Sequence, residues 1–122
     1  MREHYIKKFS DGAIAFISVM NEKLYKKRHP ESDISVEGTS ITRIEVPIQY
    51  REKGVARELL TKVIKDADKE CEELMIQPSP DDGTQESYDR LVKFYSEFDF
   101  KPSEHFTMKR KSKCLQRDEL IW

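Results

Sequence analysis

Apolar positions along this chain change period from one stretch to the next, and each change marks an element. Residues 5–9 (Tyr5-Ile6-Lys7-Lys8-Phe9) read as a short strand, and Ser10-Asp11-Gly12 as a turn. Residues 13–20, Ala13 to Met20, form a nearly continuous β-branched and aromatic run. The two stretches predict a hairpin whose second strand is buried. Residues 21–29 have only Leu24 and Tyr25 as apolar members, and they fit either a loop or a short helix. Pro30 to Asp33 breaks the pattern. Ile34-Ser35-Val36-Glu37 reads as a weak strand, Gly38-Thr39 as a turn, and residues 40–46 (Ser40 to Val46) alternate as a further strand.

The period then becomes helical. Val55, Leu59, Leu60, Val63, Ile64, Ala67 and Cys71 share one face, which predicts an amphipathic helix over about 54–71. Glu73 to Gln77 reads as a buried strand, and Pro78-Ser79-Pro80-Asp81-Asp82-Gly83 as a loop. Tyr88, Leu91, Val92, Tyr95 and Phe98 make a single stripe, predicting a second helix over about 85–98. Two short β-type pieces flank Pro102 between Phe100 and Lys109, and the remainder to Trp122 reads as a tail. A strand–helix–strand unit of this length puts its strands parallel, whereas the early hairpin is antiparallel. The expectation is therefore an α+β fold: a mixed, mostly antiparallel sheet flanked by helices, with one parallel unit.

Composition narrows the class. The 122 residues suit one domain, and 22 basic against 23 acidic side chains exclude a strongly basic nucleic-acid binder. No run approaches the roughly 18 apolar residues of a membrane span, and the N-terminus has no apolar signal region. Cys71 and Cys114 are far apart and too few for a zinc site or a disulfide framework. The expectation is a reducing, cytoplasmic setting, with Cys71 a packed thiol on the helix stripe.

Chemistry-bearing motifs are sparse. The sequence holds no Walker A loop, dinucleotide fingerprint, H-E-x-x-H or G-x-S-x-G, and His4, His29 and His105 are isolated. What remains is the junction Val46 to Ala56, where a strand ends, a loop with Arg51, Lys53 and Gly54 turns, and a long helix begins. The first N–H groups of a helix lack internal partners and its dipole favours anions, so this loop is a candidate phosphate cradle.

Taken with its surroundings, this junction resembles motif A of the GNAT superfamily of acyl-CoA N-acyltransferases. The loop Arg/Gln-x-x-Gly-x-Gly/Ala is filled by Arg51, Gly54 and Ala56. Leu91-Val92-Lys93-Phe94-Tyr95-Ser96-Glu97-Phe98-Asp99-Phe100 resembles motif B, with Asp99 where the family has Gly. The resemblance spans about 40–110 and implies a single GNAT-like domain over 1–122: shortened N-terminal strands (1–39), an acetyl-CoA-binding core (40–110) and a C-terminal tail (111–122). It is similar to compact, phage-borne members, which include an anti-CRISPR acetyltransferase that modifies a lysine of its target.

The resemblance implies N-acetyl transfer from acetyl-CoA directly to a primary amine such as a protein lysine, with no metal. Backbone N–H groups of Arg51, Glu52, Lys53, Gly54, Val55 and Ala56 would bind the pyrophosphate. The backbone of Ile44, Glu45 and Val46 would hold the pantetheine arm, with the Val46 N–H facing the thioester oxygen. Tyr95 would protonate the leaving thiolate. Neutralising a lysine of pKa about 10.4 at pH 7 requires about 4.6 kcal/mol, so a base is needed. Glu45, Glu37 and His105 are the candidates. The motif-free readings are a core aromatic for Tyr95 and a strand carboxylate paired with Arg43 for Glu45. Two other functions compete: a non-catalytic binding or inhibitor protein on the same scaffold, and nucleic-acid contact through Lys109 to Lys113. Family members also pair strands across a homodimer.

Overall fold

The alternating run before the junction lies in the middle of the sheet. In the computed structural model, which describes residues 1–33, 35 and 38–114, strands β1 (His4–Lys8) and β2 (Ile14–Asn21) form the expected antiparallel hairpin. Helix α1 (Glu22–Arg28) resolves the ambiguous 21–29 stretch. Its start is set by Asn21, whose side chain accepts from the Leu24 N–H at 2.9 Å. Strand β3 (Thr39–Glu45) then pairs antiparallel with β2. Of the weak strand expected at 34–37 only Ser35 is described, and it is not in a strand; residues 34, 36 and 37, Glu37 among them, and the tail beyond 114 lie outside the described residues.

Helix α2 (Val55–Lys69) leads to β4 (Leu74–Ile76), which lies parallel to β3 as a strand–helix–strand unit requires. Helix α3 (Gln85–Ser96), β5 (Lys101–Pro102) and β6 (Met108–Arg110) complete the chain in the order β1-β2-β3-β4-β6-β5. One core joins Ala15, Ile17 and Val19 of β2 to Leu59, Leu60, Val63 and Ala67 of α2, all at most 1% exposed. On α3 only Tyr95 is buried, while Leu91 and Val92 are half-buried. That helix therefore lies partly open, as the wall of a groove. Among the described residues no helix is long and apolar enough to cross a membrane.

Two details of the central strands matter for the site. The last pair between β3 and β4 is Ile41 with Ile76, yet β3 runs on to Glu45, so the two parallel strands part company. At the same level the β2–β3 register slips: Val19 faces Ile41 and Ser18 faces Arg43, which leaves Thr42 as an extra, bulged residue.

The expectation about the cysteines is overturned. Cys71 and Cys114 form a disulfide, with Cα atoms 5.2 Å apart. Cys71 is not on the helix stripe, because α2 stops at Lys69 and Cys71 turns to φ 57, where its side chain is exposed. What brings Cys114 to it is a long-range clamp. The Arg110 guanidinium donates to both Asp68 carboxylate oxygens at 2.8 and 3.2 Å and to Phe98 O at 2.9 Å, and the Lys113 N–H donates to Asp68 at 2.9 Å. Sequence distance says nothing of such a contact.

Candidate active site

The cradle forms because Gly54, at φ 78, turns the loop into the first turn of α2. Only glycine enters this left-handed region without strain. A Cβ built there meets nothing within 4 Å, so the space above the helix start is open. The first internal bond of α2 runs from the Glu58 N–H to Gly54 O at 3.0 Å, leaving the N–H groups of Val55, Ala56 and Arg57 ahead of the ladder. These residues, with Val46, Arg51, Glu52 and Phe94, line a cavity of about 300 Å³. The dipole and the N–H groups make it a candidate anion site.

Side chains the sequence reading passed over hold this loop. Tyr50 stacks on Phe9 at 3.7 Å and donates to Asp11 at 2.8 Å, pinning the loop to the β1–β2 turn. Arg57 bonds Glu97 at 2.5 Å and lies over the Phe94 and Phe98 rings, which ties the start of α2 to the end of α3. Lys53 lies over Tyr50, with its ammonium 5.9 Å from the ring centre, and its side chain does not line the cavity.

From the cradle the groove continues past Arg51 and Glu52 to Ile44, Ser79, Asp81 and Tyr95, and then into the opening between β3 and β4. This last part, about 310 Å³, is walled by Ile41 to Glu45 on one side and Ile76, Gln77, Ser79 and Asp81 on the other. It lies beyond the end of β4, where open α/β sheets place their ligands. The sequence reading did not single out Gln77, Ser79 or Asp81; that rule, with the Pro78–Asp82 breaker run, was the signal that could have found them.

Tyr95 lines this opening with only 6% of its surface exposed. Burial alone pushes its hydroxyl up from 10.0 to about 12. Its place is fixed by how α3 ends. The Phe100 N–H donates to Tyr95 O at 3.3 Å and the Asp99 N–H to Ser96 O at 3.1 Å, with Asp99 at φ 69. This is a Schellman closure with Asp in the position that favours Gly, and the Tyr95 and Phe100 rings meet across it at 6.0 Å.

The remaining expected residues are placed as follows. Ile44 and Glu45 line the opening, and Val46 lines the cradle. Glu45 bonds its own strand neighbour Arg43 at 2.5 Å and is half exposed, as the motif-free reading had it. Arg51 turns along the groove, donating from Nε to Val46 O at 3.0 Å and pairing with Asp81 at 3.2 Å. His105 sits in the exposed turn between β5 and β6 and does not line the groove. Among the described residues no cluster of His, Cys, Asp or Glu could hold a metal ion.

No family model matches the chain, and no curated protein matches it in sequence. Solved structures do match in fold. The anti-CRISPR protein AcrVA5 is similar over 90% of this chain and 100% of its own, with TM-score 0.56 and 17% identity. The Bacillus subtilis N-acetyltransferase YlbP, solved in complex with coenzyme A, is similar over 91% of this chain and 68% of its own, with TM-score 0.54 and 17% identity. The mixed six-stranded sheet, its one parallel pair and the helices beside it thus give this chain a GNAT-like fold.

Proposed function

We propose that the chain is a single-domain N-acetyltransferase that moves the acetyl group of acetyl-CoA directly to a primary amine, such as a protein lysine. One observation carries the reading: a single groove runs from the open start of α2 to a buried tyrosine at the parting of β3 and β4. The anion site suits a pyrophosphate. The stretch from Ile44 to Val46, at the end of β3 and just past it, where β4 no longer pairs, suits an extended amide-bearing arm, which it would bind as an added strand. YlbP, bound to coenzyme A, shows that a related fold takes this ligand.

Each residue then has a task. Backbone N–H groups of the Arg51–Ala56 loop hold the phosphates, with Arg51 supplying charge once it leaves Asp81. Backbone polar groups on β3 orient the thioester, and the Val46 N–H stabilises charge developing on its oxygen. Glu45, at the mouth of the opening, takes the proton of the incoming amine, with Arg43 holding its carboxylate. Tyr95 faces the leaving sulfur. A hydroxyl at about 12 stays protonated at any working pH, so it is always a donor. Full transfer to a thiolate whose thiol has pKa about 8.5 is uphill. Tyr95 therefore acts first through a hydrogen bond that strengthens as charge develops.

Calorimetry and mass spectrometry test this together. Gly54→Glu should abolish acetyl-CoA binding, since the new side chain is strained at positive φ and projects a carboxylate into the cradle. Tyr95→Phe should bind acetyl-CoA normally and lose roughly 10²-fold in turnover, followed as labelled acetyl on amine acceptors. Full activity in Tyr95→Phe would remove its role as donor to the leaving sulfur. A second reading, a scaffold that binds without turnover, is favoured by the Arg43–Glu45 pairing. It is distinguished by saturable binding with no labelled product.

A further inference from the structure

The basic run Lys109 to Lys113 alternates in burial from the end of β6 into the residues that follow it. Arg110 and Ser112 are buried, whereas Lys109, Lys111 and Lys113 are exposed. Across the β5–β6 pair Lys101 stands directly opposite Lys109. A cavity of about 670 Å³ opens here, lined by Lys101, Lys109, Lys111 and Ser103 together with Glu73 and Asp99. Among the described residues no carboxylate lies within ion-pair distance of Lys101 or Lys109.

This arrangement works against stability, because like charges directly opposite on neighbouring strands repel. Guarding a sheet edge explains part of it: short edge strands carry Lys and Pro to block unwanted pairing, and β5 is Lys101–Pro102. It does not explain Lys109, because β6 is an interior strand between β4 and β5.

We propose that this face docks an acidic polypeptide segment of a partner protein, separately from the acyl-transfer groove. The three lysines provide spaced point charges, and Ser103 provides a hydroxyl donor. A peptide fits better than a nucleic acid for two reasons. The chain's net charge is −1, so no broad field attracts a phosphate backbone. Glu73 and Asp99 interrupt the positive surface, which a chain of spaced carboxylates accommodates and a continuous phosphate backbone does not.

The test is fluorescence anisotropy with a short fluorescein-labelled peptide of alternating Glu and Ser. Binding should be saturable, weaken with added salt and fall roughly tenfold in Lys109→Glu. The same variant should melt at or above the parent temperature, because its new carboxylate faces Lys101, and it should bind acetyl-CoA as the parent does. The proposal is overturned if the acidic peptide shows no saturable binding, if a Gln/Ser peptide binds equally or if Lys109→Glu binds like the parent. Tighter binding of a single-stranded oligonucleotide than of the acidic peptide would also overturn it.

Discussion

Asp99 holds φ 69, a backbone region that costs a non-glycine residue roughly 1–2 kcal/mol, although Asp tolerates it better than most. Two hydrogen bonds and the Tyr95–Phe100 contact retain it there. Asp99→Gly should therefore relieve strain and raise unfolding free energy by up to about 1 kcal/mol, measured in urea, with Tyr95 undisturbed. Titration makes a second prediction at this scale. Burial raises the Tyr95 hydroxyl to about 12, and burial with the Asp66 hydrogen bond does the same for Tyr5. The folded values exceed the unfolded one, so the stability they contribute is full below pH 10 and is lost as pH rises toward 12. Asp68 has the opposite sign. Its burial would raise it, but Arg110 and Lys113 outweigh that and hold it below 3.8, so its contribution fades as pH falls through the acid range. Urea midpoints should thus decline beyond pH 10, and a flat profile from pH 10 to 11.5 would contradict the buried tyrosines.

At the scale of elements, the groove is bridged by a contact between two loops. Arg51, before α2, reaches Asp81, before α3, and also covers Val46 O. Arg51 is wanted by a bound acyl-CoA in the proposed reading, so binding has to break its pairing with Asp81. Both side chains are more than half exposed, and exposed pairs are worth roughly 0–1 kcal/mol. Asp81→Asn should then tighten acetyl-CoA binding by up to about fivefold, with most of the gain disappearing in high salt. Weaker binding would mean that Asp81 itself holds the ligand. This contact also marks the limit of what the sequence shows. Period-two and period-3.6 patterns made the hairpin, β3, α2 and α3 legible, because each buries one face or one stripe. The loop motif marked the turn into α2, with Gly54 at positive φ, for the same local reason. The parting of β3 from β4, the bulge at Thr42 and the partners of Arg51, Tyr50 and Arg57 all depend on residues distant in sequence. No local period encodes them.

For the whole molecule, the disulfide joins Cys71 and Cys114, 43 positions apart, and closes a segment that contains β4, α3, β5 and β6, hence Tyr95. Closing a loop of this length restricts the unfolded chain and stabilises by about 2–4 kcal/mol. The folded geometry has a separate fastening. The Arg110–Asp68 pair, with Arg110 only 3% exposed, holds the end of β6 against the last turn of α2 whether or not the sulfurs are joined. Stability and site geometry should therefore separate. Cys114→Ser, or reduction of the parent, should lower the unfolding free energy by about 2–4 kcal/mol and leave acetyl-CoA affinity unchanged at temperatures where the protein is folded. Thiol counting under denaturing conditions, before and after reduction, checks that the bond is present. Calorimetric titration of the reduced protein checks the second half. A large loss of affinity on reduction would show that the cross-link, and not the buried ion pair, sets the position of the Tyr95 half of the groove.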